Sequence, residues 1–197
     1  MTFYFLFAAL HTLSYARHGT PYLNRWPRPL QALHSFYYTT IVTFPFLVTI
    51  VYWKILYSGV WFDNEQDAWS NISQHAMNSL FALMELLFTR INPPPMIHLL
   101  WLIVILALYL GLAFLTHYTQ NIYVYSFLDP ASGTGKRAGY IVGILVGAII
   151  VFLIIEGVAW GRKWLTEKKW GCEGKFHGGR SMAQGDSELE AVRKWEK

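Results

Sequence analysis

Charge is absent from five long stretches of this chain, and that absence limits its fold more than any other feature. Residues 1–16, 29–53, 68–84, 91–128 and 138–155 contain no Asp, Glu, Lys or Arg. A helix needs roughly 20 predominantly apolar residues to cross about 30 Å of hydrocarbon, and four of these five runs reach that length once their flanks are counted. The runs are continuous, as at residues 99–106, whereas barrel strands alternate apolar and polar residues. Only 14% of residues are charged and 54% are hydrophobic, against about a quarter charged in soluble domains. The expected fold is therefore all-α: a polytopic transmembrane helix bundle of about five transmembrane helices over residues 1–160. A basic, mostly disordered cytosolic tail is expected over 161–197.

The expected helices are 1–16, 34–57, 69–88, 97–117 and 138–160. Sixteen residues rise only about 24 Å, so the first helix reads as clipped at its start. No basic segment precedes it, which argues against a signal peptide. Pro45 predicts a kink in the second helix, and Pro93-Pro94-Pro95 separates the third from the fourth. Tyr118 to Tyr125 reads as an interfacial aromatic belt. Asn71-Ile72-Ser73 is formally a glycosylation sequon at the membrane boundary.

Net charge is +4, but the basic residues flank the apolar runs or sit in the tail, so nucleic acid is not the expected partner. Arg17, Arg25, Arg28, Arg90, Arg162, Lys163, Lys168 and Lys169 fall on one side of a five-helix bundle, and Lys54, Lys136 and Arg137 on the other. The positive-inside rule makes the first side cytosolic. Cys172 is the single cysteine and excludes an internal disulfide; an inert thiol is favoured over palmitoylation. No phosphate-cradling glycine loop, Cys/His metal spacing or nucleophile elbow is present, so no cofactor and no metal are expected.

Ionisable and polar residues inside a membrane are costly and mark functional positions. Asn71, His75, Asn78 and Glu85 recur at spacings of 4, 3 and 7, which places them on one helical face with Ser79 beside them. The alternative role for such a stripe is hydrogen bonding between helices. By topology, Thr2, His75 and His117 fall near one membrane surface, where a hydroxyl beside an imidazole is the minimum for nucleophilic acyl transfer. A polar helix end is the competing reading of His117. His11 and His98 read as isolated helix-end residues. Gly139, Gly143 and Gly147 form a small-xxx-small stripe that suits close helix packing.

Three segments resemble the androgen-induced / androgen-dependent TFPI-regulating protein family. They are Phe44-Pro45 with Val51-Tyr52-Trp53; Ser73-Gln74-His75-Ala76-Met77 with Glu85 ten residues after His75; and Thr116-His117-Tyr118-Thr119 leading to Tyr123-Val124-Tyr125-Ser126-Phe127-Leu128-Asp129. The likeness covers residues 1 to about 165, and Asn92-Pro93-Pro94-Pro95 is nearest in shape to fungal-type members. Characterised members of that family are multi-pass hydrolases of fatty acid esters of hydroxy fatty acids. They use a membrane threonine as nucleophile and a histidine as its partner. The resemblance implies Thr2 as nucleophile and His75 as general acid and base, with Asn71, Asn78, Ser79, Glu85 and His117 around the pocket. The family usually has a further helix before the threonine, and the resemblance implies that this sequence starts after it. A rival alignment puts Asn78 in the catalytic place. The implied partners are membrane lipids and a lipid ester substrate, in the endoplasmic reticulum or another endomembrane. The competing function is a non-catalytic lipid-binding or scaffold protein of the same fold, with Gly139, Gly143 and Gly147 as its helix-packing stripe.

Overall fold

A computed structural model of the protein describes residues 1–172, and these are helical with no strand among them. Helix α1 is Thr2–His18 and α2 is Arg28–Val51, which runs on through a π turn, Tyr52–Leu56. Helices α3, Glu65–Ile72, and α4, Asn78–Phe88, form one rod joined by a second π turn, Ser73–Met77. Helix α5 is Ile97–Gln120, and α6, Thr134–Lys163, continues through Lys169. Counting α3–α4 as one rod gives five helices. Three of these, over Arg28–Leu56, Ile97–Gln120 and Thr134–Lys169, are long and apolar enough to cross a membrane by length and composition.

The helices overrun the uncharged stretches that announced them. Apolar sequence marks where hydrocarbon can surround a helix, but a helix ends where its backbone finds a cap. Helix α1 continues to His18 because Gly19, at φ 72°, turns left-handed and bonds back to the Tyr15 carbonyl. Asn121 stops α5 in the same way at φ 58°. The Asn64 side chain accepts from the Asp67 N–H at 2.7 Å, so α3 starts at Glu65 rather than at 69. Pro29 falls in the first turn of α2, where its missing N–H costs nothing. Pro45 lies within α2 without ending it.

Residues 161–169, expected as the start of a disordered tail, are helical, and polar contacts explain the correction. Arg162 donates to the Ile91 carbonyl, Lys163 to Asn92 Oδ1 at 2.6 Å, and Arg90 pairs with Glu167 at 3.3 Å. The end of α6 is thus latched to the segment between α4 and α5. The rest of the expected tail, 173–197, lies outside the described residues. Cys172 is exposed.

Helix α2 is the hub, packing against α1, α4, α5 and α6. Its Tyr38, Ile41 and Val42 meet Tyr4, Leu86, Val151, Ile155 and Ala159 in the main core. A second cluster buries Phe127 and Leu128 against Ala113 of α5 and Ile141 and Ile144 of α6. The segment after α5 is therefore a plug between two helices rather than only an interfacial belt. Outside it, Tyr125 and Tyr109 share a hydroxyl contact at 2.6 Å, and burial together with that contact raises the Tyr125 pKa. The outer faces remain apolar and exposed, as at Leu108, Leu112 and Val142, which suits lipid contact. Along the small-residue stripe, only Gly147 faces a neighbouring helix, at Leu47 of α2; Gly139 and Gly143 have open space around them.

Deep in the main core, the Tyr4 hydroxyl donates to Glu85 Oε1 at 2.7 Å. Tyr4→Phe keeps the ring but leaves a buried carboxyl without its donor, so it should lower stability by about 1–3 kcal/mol. Tyr37→Phe, which removes a hydroxyl with no hydrogen-bond partner among the described residues, should stay within about 0.5 kcal/mol. Thermal unfolding of the purified chain in detergent separates the two.

Candidate functional site

The polar residues of the α3–α4 rod do not share one environment. The π turn at Ser73–Met77 inserts an extra residue into the helical repeat, so positions before and after it are rotated relative to a uniform helix. A second π turn, Tyr52–Leu56, lies opposite on α2, and the two meet around His75. The Tyr52 ring stacks on the His75 imidazole at 3.8 Å and 10°. The His75 carbonyl accepts from Thr49 Oγ1 at 2.5 Å and from Trp53 Nε1 at 3.2 Å. Both donors come from α2 and the π turn that continues it. His75 Nδ1 is buried and has no partner among the described residues.

Asn71 accepts from the Tyr52 hydroxyl and donates to the Asp67 carbonyl at 2.8 Å. That residue is the sequon asparagine, and its amide is spent inside the protein. Ser79 shares a 2.6 Å contact with Thr49, and Asn78 donates to the Gln74 carbonyl of its own helix at 3.1 Å. Asn71, Asn78 and Ser79, three of the residues expected around the pocket, therefore all have protein partners here. Glu85 belongs to a different neighbourhood, bonded to Tyr4 of α1. His117 stacks on Tyr123 at 3.7 Å, and its Nδ1 is buried without a partner; no contact joins it to His75.

The structure does not bring Thr2 to His75. Tyr4 is fully buried, and Thr2, two residues away and about 200° around the helix, is exposed on the opposite side of α1. It makes no side-chain hydrogen bond among the described residues. Tyr4 is level with Glu85, ten residues and roughly 15 Å of helical rise from His75. Two residues closer, Thr2 still falls roughly 12 Å short along the axis. Tyr4 lies beside His34, Tyr37 and Tyr38 of α2, whereas His75 lies beside Thr49 and Tyr52 further along that helix.

A hydroxyl–imidazole pair does exist elsewhere. Thr39 Oγ1 lies 2.7 Å from His98 Nδ1, with the two residues 0% and 7% exposed. It ties α2 to α5, and Phe36 packs edge-on against the imidazole. His98, read from sequence as an isolated helix-end residue, is thus a buried partner. No local signal joins positions 59 residues apart. His11 is the other buried imidazole, 5.0 Å from His34 and 5.1 Å from Trp26 at the α1–α2 contact. No group of three potential metal ligands is present among the described residues.

Apolar outer faces, polar residues turned inward and five closely packed helices define an integral membrane protein of the multi-pass helical class. The family described as FAR-17a/AIG1-like protein matches residues 1–159, and the chain belongs to that family, which is the androgen-induced protein family. No curated protein and no solved structure matches it.

Thr39→Val removes the hydroxyl at nearly constant shape and leaves His98 Nδ1 buried and unpaired. The expected loss is about 1–3 kcal/mol, with Thr39→Ser retaining more than half of the contact's contribution. Denaturation of both variants in the same detergent measures the difference.

Proposed function

We propose that this protein is an intramembrane hydrolase of fatty acyl esters, such as fatty acid esters of hydroxy fatty acids, with His75 as the proton-transferring group. The observation that carries this reading is the setting of His75. It sits on a π turn, a feature frequent at functional sites. Its carbonyl is held by Thr49 and Trp53, its ring lies on Tyr52, and Nδ1 has no partner. The likeness to hydrolases of the same family supports Thr2 as the nucleophile. Reaching His75 requires the first turn of α1 to rearrange, and that turn has no side-chain cap to hold it.

In the proposed step, His75 takes the proton of the Thr2 hydroxyl as Oγ1 attacks the ester carbonyl carbon. Collapse of the tetrahedral intermediate breaks the bond to the alkoxide, which receives that proton from His75. Water then hydrolyses the acyl–threonine by the same route in reverse. Asn78 and Ser79 are the candidate oxyanion donors, released from their present partners when substrate arrives. The site would open within an endomembrane such as the endoplasmic reticulum, with the C-terminal segment in the cytosol.

A second reading, a non-catalytic lipid-binding or scaffold protein, is favoured by the exposed Thr2 and by the open faces of Gly139 and Gly143. Fluorophosphonate labelling in membranes separates the two. A hydrolase should label, and Thr2→Ala and His75→Ala should each reduce labelling by about 100-fold at matched expression. A folded parent chain that takes no label supports the scaffold.

A further inference from the structure

The bundle end opposite the arginine-rich one carries a cavity of about 430 Å³ between the end of α2 and the start of α3. Tyr52, Tyr57, Trp61 and Phe62 line it, together with Asp63 and Asp67. The rings form a connected run: Tyr52 to Tyr57 at 6.4 Å, Tyr57 to Phe62 at 5.8 Å and Phe62 to Trp61 at 5.6 Å. None of the lining residues is Lys, Arg or His. Asn64 holds Asp67 in place, accepting from its N–H at 2.7 Å and donating to Oδ2 at 2.6 Å. Asp63 has neither an ion pair nor a hydrogen bond among the described residues. The start of α3 does not offset this negative charge, because Asn64 already caps it and Glu65 and Asp67 occupy its first turn.

Aromatic faces are electron-rich and attract cations, most strongly when the cation is poorly hydrated. A primary ammonium retains a large hydration cost and calls for three acceptors. A quaternary ammonium has no N–H, sheds water readily and needs only rings around it and a carboxylate nearby. The cavity offers that combination at the level where α2 leaves its apolar stretch, which is headgroup depth for a bilayer.

We propose that this cavity binds the quaternary ammonium of a choline-type group, supplied by a lipid headgroup or by free choline. The site stands without the hydrolase reading, since none of its lining residues belongs to the proposed catalytic pair.

The test uses the full chain in lipid nanodiscs. Photoreactive phosphatidylcholine is compared with photoreactive phosphatidylglycerol of the same acyl chains, and cross-links are mapped by mass spectrometry. Phosphatidylcholine should cross-link at residues 52–67, and phosphatidylglycerol should not. Trp61→Ala and Asp63→Asn should each weaken capture about five-fold, while Trp61→Phe, which keeps a ring, stays within about two-fold of the parent. Competition by soluble choline or tetramethylammonium means that the ammonium alone suffices; capture of the lipid without such competition assigns the headgroup as the source. Equal capture of the two lipids, or capture unchanged by both Trp61→Ala and Asp63→Asn, overturns the proposal. So does a Trp61→Phe variant as weak as Trp61→Ala.

Discussion

Hydrocarbon offers no hydrogen bonds, so a polar group carried into the bundle is costly unless the protein itself supplies a partner. Helix α2 answers that demand more than any other element. From its face, Thr39 reaches His98 of α5, while Thr49 and Trp53 reach the His75 carbonyl of the π turn and Tyr52 reaches Asn71 of α3. Each contact joins α2 to a different partner or level, and lipid competes for none of them. Apolar packing alone discriminates weakly between helix arrangements in a membrane, because lipid tails are as apolar as leucine. These polar contacts give the arrangement its register. The two arginine-side anchors, at Ile91 and Asn92, hold the end of α6 to the same bundle.

The fold class was legible because it depends on charge distribution, which sequence displays directly. Helix positions came through from the uncharged runs, but helix ends did not, since Gly19, Asn64 and Asn121 act through backbone geometry that hydropathy does not register. The site was legible only in part. His75 was marked by its polarity within an apolar run, and Asn71 and Ser79 did prove to share its neighbourhood. The uniform helical repeat that grouped them also enrolled Glu85, which faces α1 instead. The π turn between them has no clear mark in the residues Ser73 to Met77, so the change of face was hidden.

Membrane topology orders residues by depth but says nothing of which helix faces which, so neither the exposed position of Thr2 nor the pairing of His98 with Thr39 is legible from it. For His98 the missing information is the packing of α2 on α5, and hydropathy cannot supply it because α5 is apolar along almost its whole length.

Tyr52 is a single rigid plane with a neighbour on each side of its duties. It stacks on His75 and also lines the acidic, aromatic cavity at the end of the bundle. Its hydroxyl is tethered to Asn71, so the ring has little freedom to serve one side without being felt on the other. The cavity wall and the interior histidine therefore share one aromatic plane, and any effect of cavity occupancy on the imidazole would be matched by an equal effect of the imidazole on occupancy.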